Sequence, residues 1–335
     1  SGKMSIQQIT ELSSKDPDLI REGFQSGRPF IVRQLHSEWI LVKKGKESET
    51  ELKKYLHECS LKRDFVYAIG EPEQNGKIFY NKDMGVNFVE RKAALKTVLG
   101  YFDEIREAEE DVALYLSSLE IHKYFENLLT ETPSYLNENQ YRAGLWIGNK
   151  IQVPLHNDFP NNVACVIGGR RKFTLIPPNQ FENLYVGPID FTPAGRAVSM
   201  VDLQNPDLDK YPKFAVALEH ALTAELSPGD VIYIPSMWWH AVEGLDDFNV
   251  MLNFWWRENP IFLGGPDAAM KLAIATIRDL PHQEKQHWKQ LFEYYIFNNS
   301  EENIAHIPEK SRGVLGRINS DLARKIKSYL LEVLS

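Results

Sequence analysis

The sequence predicts a mainly β protein with flanking helices: an antiparallel sandwich or barrel in the middle of the chain, with helical segments before and after it. Three observations carry that reading. Between residues 141 and 256, short apolar runs alternate with Gly, Pro and Asn punctuation, the pattern of short strands joined by turns. After Pro260, apolar residues recur at helical spacing instead. With 335 residues, 43% of them hydrophobic and 25% charged, the chain is long enough for one large core plus a smaller appendage.

The elements follow in order. Ser1 to Lys3 stand ahead of Met4 and are set aside as an added leader. Asp16-Pro17, just before Leu19, Ile20 and Phe24, makes a capped helix start, and Gly27 makes its stop. Residues 28–33 (Arg-Pro-Phe-Ile-Val-Arg) read as a short strand. Leu52, Tyr55, Leu56 and Cys59 mark one helix; Leu95, Val98, Leu99 and Phe102 mark another. Residues 113–116 form a strand candidate, followed by a short helix around Ile121, Phe125 and Leu128. Further strands are expected at 145–147, 163–167, 173–176, 231–234 and 250–256. The stretch between Asn179 and Leu226 has few strand signals and reads as a long connection, of a size that usually covers a functional site. Toward the end, Trp288, Leu291, Phe292 and Tyr295 form one apolar helical stripe. Leu322, Ile326, Tyr329, Leu330 and Val333 form a second. The expected organisation is a main domain over residues 4–260 with an N-terminal elaboration, and a C-terminal helical segment over 261–335.

Composition narrows the classes of function. No apolar run approaches the length that spans a bilayer, and no charged-then-apolar leader opens the chain, so no membrane role is expected. Cys59 and Cys165 are the only cysteines. They are too few for a disulfide framework or a thiolate metal site, and they fit a reducing compartment, cytoplasmic with the nucleus included. The net charge of −8 disfavours a nucleic-acid partner while leaving room for a local basic patch.

His156-Asn157-Asp158 is the first feature that carries chemistry. On an extended strand, residues two apart share a face, so His156 and Asp158 would converge on one ion. A His-x-Asp alone is common. A second signal is His240, which follows the turn Pro228-Gly229-Asp230 and the strand ended by Pro235, amid Trp238, Trp239, Ala241 and Val242. Two imidazoles and one carboxylate make a facial triad suited to iron(II), with coordination positions left open.

From Leu145 to Trp256 the chain resembles the cupin-like Jumonji C oxygenases, which depend on iron(II) and 2-oxoglutarate. Within that family it is similar to the asparaginyl hydroxylase of the hypoxia-inducible factor and to the tRNA wybutosine hydroxylase. The matching text is Pro154-Leu155-His156-Asn157-Asp158, then Asn162, residues 168–178, Asn205-Pro206-Asp207 with Tyr211-Pro212, residues 229–235 through Trp239-His240, and Asn253-Phe254-Trp255. The early Arg28-Pro29-Phe30-Ile31-Val32 looks like the family's entry strand. The resemblance implies a double-stranded β-helix (jelly-roll, cupin) core. It also implies His156, Asp158 and His240 as the iron(II) ligands, with no catalytic side chain beyond them.

It further implies a site for the 2-oxoglutarate cosubstrate, whose far carboxylate needs a buried cation. Relatives supply a Lys on the strand after a Gly-x-Lys-Arg stretch, whereas this chain reads Gly169-Arg170-Arg171-Lys172-Phe173. Three outcomes are weighed, and the first is favoured. Arg171 takes the lysine's place and grips the carboxylate with its planar fork. A slip by one residue sends Lys172 inward and inverts the strand. Or the pocket no longer takes 2-oxoglutarate. Tyr115 matches a family tyrosine that bonds the same carboxylate, with a plain core tyrosine as the alternative. Val153 falls where some relatives carry a Thr. Asn162 and Asn253 match asparagines near metal and cosubstrate, or serve a structural role. Trp238, Trp239, Phe254, Trp255 and Trp256 read as core rather than contact residues.

The activity so implied is hydroxylation of a C–H on a protein or peptide side chain. The alternatives are the same chemistry on a modified RNA base or small metabolite, or a catalytically silent metal-binding cupin. The C-terminal stripes suggest a homodimer, or packing on the chain's own barrel.

Overall fold

The computed structural model describes residues 6–71, 75–136 and 141–335. It divides into two compact units, Ser1–Arg257 and Glu258–Ser335.

The first unit opens with the short strand β1 (Gln7–Gln8) and helix α1 (Pro17–Gln25). The Asp16 side chain caps α1 by accepting from the Asp18 N–H, Pro17 sits in its first turn, and Gly27 follows at a φ of 67°. Strand β2 (Phe30–Val32) is wholly buried. Helices α2 (Ile40–Glu47) and α3 (Glu49–Cys59) share Ser48, which ends one and caps the other through its hydroxyl. Then come β3 (Asp64–Gly70), β4 (Phe88–Ala94), α4 (Leu95–Glu107), β5 (Leu114–Glu120) and the single turn α5 (Ile121–Tyr124). The strand-rich middle follows: β6 (Tyr141–Gly148), β7 (Gln152–His156), β8 (Asn161–Gly168) and β9 (Arg171–Ile176). After helix α6 (Phe214–Glu219) come β10 (Leu222–Leu226), β11 (Val231–Ile234), β12 (Trp239–Gly244) and β13 (Asn249–Trp256).

These strands make two sheets. One has five strands in the order β1-β10-β9-β12-β7; the other has eight, β2-β11-β8-β13-β6-β5-β3-β4. All pairings are antiparallel except β1 with β10. Consecutive strands often sit in different sheets, so the chain crosses repeatedly between two layers, as a jelly roll requires. One apolar cluster joins Ile31, Ala164, Val166, Phe173, Leu175, Ile232 and Met251, drawn from both sheets. A larger cluster backs the eight-stranded sheet with residues of α1 to α4, among them Ile20, Val42, Leu56 and Phe102.

The strand and helix expectations hold where apolar periodicity was plain. Four strands had not been expected, the two-residue β1 and, more fully formed, β3, β4 and β10. In β3, Phe65 and Tyr67 alternate inward, a short signal in a mixed stretch. In β4 the sequence is Phe-Val-Glu-Arg-Lys-Ala-Ala, charged and largely exposed, as an edge strand tolerates. The connection expected to run to Leu226 ends earlier, because its last five residues form β10. There only Ala224 and Leu226 turn fully inward, opposite Phe173 and Arg171, which is too little for periodicity to show.

The second unit carries α7 (Pro266–Thr276), α8 (His282–Phe292), the short α9 (Glu301–Ile304) and α10 (Ser320–Leu334). Tyr295 of the first stripe lies in a wider helical turn after α8 (Glu293–Phe297). Ala323 is the one buried residue of this unit, while Trp288, Leu291, Tyr295, Tyr329 and Val333 are exposed.

Candidate metal centre and its cavity

His156 and His240 come from neighbouring strands. They are direct cross-strand partners of β7 and β12, with ring centroids 4.3 Å apart. The expectation that Asp158 shares a strand face with His156 is corrected. β7 ends at His156, and Asn157 and Asp158 lie in the turn that leads to β8. That turn, Asp158-Phe159-Pro160, cannot stay extended because it must carry the chain into the other sheet. Its backbone brings the carboxylate back. Met237 N–H donates to Asp158 O at 2.9 Å, Ser236 Oγ–H donates to Phe159 O at 2.6 Å, and Asn161 Oδ1 accepts from Ser236 N–H and the Tyr233 hydroxyl.

As a result Asp158 Oδ2 lies 3.6 Å from His156 Nε2 and 3.2 Å from His240 Nε2. One donor atom from each of the three residues falls within 4.8 Å of the other two. Each Nδ1 sits 2.9 Å from a backbone carbonyl, Pro154 O for His156 and Trp238 O for His240. Those carbonyls hold the proton on Nδ1, so both Nε2 lone pairs face Asp158, the tautomer a metal ligand needs. Burial opposes charge on His156 and Asp158. Even so, the two imidazoles hold the Asp158 carboxyl well below the usual carboxylate range, and the Asp158 charge raises His156. Two imidazole nitrogens and a carboxylate oxygen converging at this spacing fit a divalent cation.

The triad opens into a cavity of about 710 Å³. Its other end holds Arg171. The turn Gly168-Gly169 between β8 and β9 sets that side chain's direction. Gly169 has a φ of 70°, and a Cβ there would meet Asn249 Oδ1 at 2.2 Å. Arg171 is 1% exposed, while Lys172 points outward. Of the two register alternatives, the strand therefore takes the one with Arg171 inward. The guanidinium is poorly partnered: Nη2 reaches Trp146 O and Asn249 O at 3.5 Å each, and Nε has no hydrogen-bond partner. Burial pulls its pKa down to about 10, leaving it charged at neutral pH. Tyr115 lines the same cavity, with its hydroxyl pushed up by burial. Val153, Phe173 and Val242 supply apolar wall.

Asn162 and Asn253 form one network in the cavity wall. Trp146 Nε1–H donates to Asn253 Oδ1 at 2.7 Å, and Asn253 Nδ2 donates to Asn162 Oδ1 at 3.1 Å. Gly144 makes room for it, since a Cβ there would stand 2.9 Å from Asn253 Oδ1. Trp255 lines the cavity, whereas Phe254 and Trp239 are core residues.

Sequence reasoning missed Arg196. It comes from the long connection, lines the cavity, and donates through Nε and Nη2 to Asn157 O (2.7 Å) and Oδ1 (2.9 Å), over the Phe159 ring at 3.8 Å. Nothing in the local pattern marks it. The connection is tied across the mouth by Lys77 to Asp202 and by the Tyr80 hydroxyl to Phe191 O.

Two sheets in jelly-roll order, with a His-Asp-His cluster facing a cavity, define a cupin fold with a candidate metal centre. The family model described as a cupin-like domain matches residues 18–261, and the chain belongs to that family, whose relatives here are of the JmjC type. It is 33% identical over 131 residues to the lysine-specific demethylase JMJ31 of Arabidopsis thaliana, covering 38% of this chain and 23% of that protein. HSPB1-associated protein 1 of Rattus norvegicus is 33% identical over 166 residues, 48% of this chain and 34% of that protein. The tRNA wybutosine-synthesizing protein 5 of Gallus gallus is 29% identical over 205 residues, 58% of this chain and 61% of that protein. The chain thus spans less than two thirds of the length of each.

Proposed function

We propose that this protein is an iron(II)- and 2-oxoglutarate-dependent oxygenase that hydroxylates a C–H of a protein or peptide side chain. The observation that carries the reading is Arg171: a buried, charged and under-bonded guanidinium in the same cavity as the triad. Such a group is costly unless an anion completes it. In this reading His156, Asp158 and His240 hold iron(II). Arg171 and the Tyr115 hydroxyl bind the far carboxylate of 2-oxoglutarate. When bound, the metal and cosubstrate supply dioxygen activation and removal of hydrogen from the substrate C–H.

The chain's own residues do the rest. The Pro154 and Trp238 carbonyls accept from Nδ1–H of the two imidazoles, which leaves each Nε2 as the atom turned to the metal position. Val153, Phe173 and Val242 keep water from the cosubstrate arm. The Trp146–Asn253–Asn162 network fixes the wall between the two ends. The test is succinate release from 2-oxoglutarate with iron(II) and ascorbate, screened over substrate pools, with His156→Ala as the blank. Turnover that persists in His156→Ala overturns the ligand assignment, and turnover in no pool overturns the reading in favour of a silent cupin.

A second reading keeps the chemistry and changes the substrate to a modified RNA base. It is favoured by the wybutosine relative, which covers 58% of this chain, and opposed by the net charge of −8. A tRNA pool in the same assay separates the two. For the second unit we propose a homodimer through its helices, because Ala323 alone is buried there and Trp288, Leu291, Tyr295, Tyr329 and Val333 of the two apolar stripes stand exposed. Light scattering on the double variant Leu291→Glu, Tyr329→Glu checks this: dimer for the parent chain, monomer for the variant.

A further inference from the structure

The geometry points to an extended peptide docking as an added strand on the outer edge of β4, with a basic side chain against Glu90. This inference rests on the peptide reading above and deepens it.

β4 is the last strand of the eight-stranded sheet and pairs along its whole length with β3 on one side only. Two other sheet edges are covered, and the remaining one, β1, is only two residues long. The outer side of β2 bonds to residues 10–12, through Leu12 N–H to Ile31 O and Ile31 N–H to Thr10 O. The outer side of β7 bonds Ile78 and Ser199, through Ile78 N–H to Gln152 O and Ser199 N–H to Leu155 O.

The direction of the β4 backbone groups follows from the ladder. Gly70 N–H donates to Ala113 O, so Gly70 faces β5 and away from β4. The Gly70–Phe88 pair is therefore a non-hydrogen-bonded one, and pairs alternate from there: Ala68–Glu90 and Val66–Lys92 are of the same kind. The N–H and C=O groups of Phe88, Glu90 and Lys92 thus point outward. Among the described residues none of these groups of Glu90 or Lys92 meets another strand or loop.

The same alternation puts the side chains of Phe88, Glu90 and Lys92 on one face, and Phe88 and Glu90 line the cavity that holds the triad. The open edge is thus continuous with the candidate active site, and a strand added to it runs across the mouth with every second side chain facing the cavity. Glu90 is exposed and makes no ion pair among the described residues. Beside it Phe88, Ile78 and Val86 give an apolar lip. A peptide with a basic residue at Glu90 and an apolar one at that lip matches both. The charges of β4 also disfavour pairing of this edge with a copy of itself.

The test uses the full chain and a library of synthetic 12-residue peptides, screened by succinate release; the best peptide is carried forward. Under nitrogen with 2-oxoglutarate and iron(II), that peptide slows amide exchange at Glu90 and Lys92 by tenfold or more. Backbone N-methylation at alternate peptide positions raises KM tenfold or more with kcat held. Lys92→Pro, which removes an outward N–H and no bond to β3, raises KM more than Lys92→Ala. Glu90→Lys inverts the preference for a basic residue. If a peptide is turned over while exchange at Glu90 and Lys92 is unchanged, the edge proposal falls and the peptide reading stands. If no peptide releases succinate, the peptide reading falls and takes the edge with it.

Discussion

The two ends of the cavity treat buried charge in opposite ways. At one end Asp158 is matched by two imidazoles, each oriented by its own backbone carbonyl. At the other end Arg171 is equally enclosed, yet one nitrogen has no partner and its remaining bonds are 3.5 Å long. A self-consistent cluster is compatible with folding before any ligand arrives. An orphaned cation is a cost that the fold carries until an anion relieves it. Under the proposed function, the difference makes the triad end the preorganised one and the Arg171 end the one that waits for a ligand.

The largest expected effects break one end at a time. His156→Ala removes one of three ligand atoms and is expected to abolish iron-dependent succinate formation. Iron(II) titration followed by ligand-field absorption checks that the loss lies in metal binding. Arg171→Met leaves the triad intact and is expected to weaken 2-oxoglutarate about 100-fold, roughly 2.7 kcal/mol, by isothermal titration. Replacing an under-bonded buried cation by an apolar side chain is also expected to stabilise the ligand-free protein, by about 1–4 kcal/mol in urea unfolding. Arg171→Lys restores part of the affinity, since a point charge replaces a fork. If Arg171→Met binds 2-oxoglutarate as the parent does, the contrast between the two ends has no functional meaning.

Much of this contrast was legible in the sequence, for reasons that differ by residue. His156, Asp158 and His240 belong to short stretches with strong local chemistry, and the strands around them are apolar enough to place. The inward choice of Arg171 over Lys172 was read from the resemblance rather than from any pattern, because Arg170, Arg171 and Lys172 are three cations in a row and the Gly169 turn decides their facing. The place of Asp158 was right in outcome but wrong in cause. The turn after β7 is fixed by Met237 and Ser236, residues far away in sequence that local periodicity cannot see. Arg196 and the exposed strand β4 left no pattern at all, since their roles come from what lies across the cavity from them.

A smaller effect sharpens the comparison within the cavity wall. Asn253 is satisfied on both sides, by Trp146 and Asn162. Asn253→Leu strands two buried polar groups and is expected to cost about 1–3 kcal/mol in stability, by denaturant unfolding. The opposite signs expected for Arg171→Met and Asn253→Leu are the direct reading of which polar groups the fold completes by itself.

The smallest effect tests the same idea away from the cavity. His36 is buried, stacked on Trp39 at 3.7 Å, and its Nε2 lies 2.6 Å from the Tyr135 hydroxyl. Burial pushes its pKa down to about 3 from 6.5. The folded pKa lies below the unfolded one, so the folded protein binds fewer protons between those values. The stabilisation from a neutral His36 is therefore fully present above pH 6.5 and is lost as pH falls toward 3, by about 1.4 kcal/mol per unit. Urea midpoints between pH 7 and pH 5, a window above most carboxylate titration, are expected to fall in the parent and to stay flatter in His36→Gln. Equal slopes in the two proteins would mean that His36 ionises without unfolding anything, and that a buried group satisfied by one neighbour is less tightly tied to the fold than the Asp158 cluster suggests.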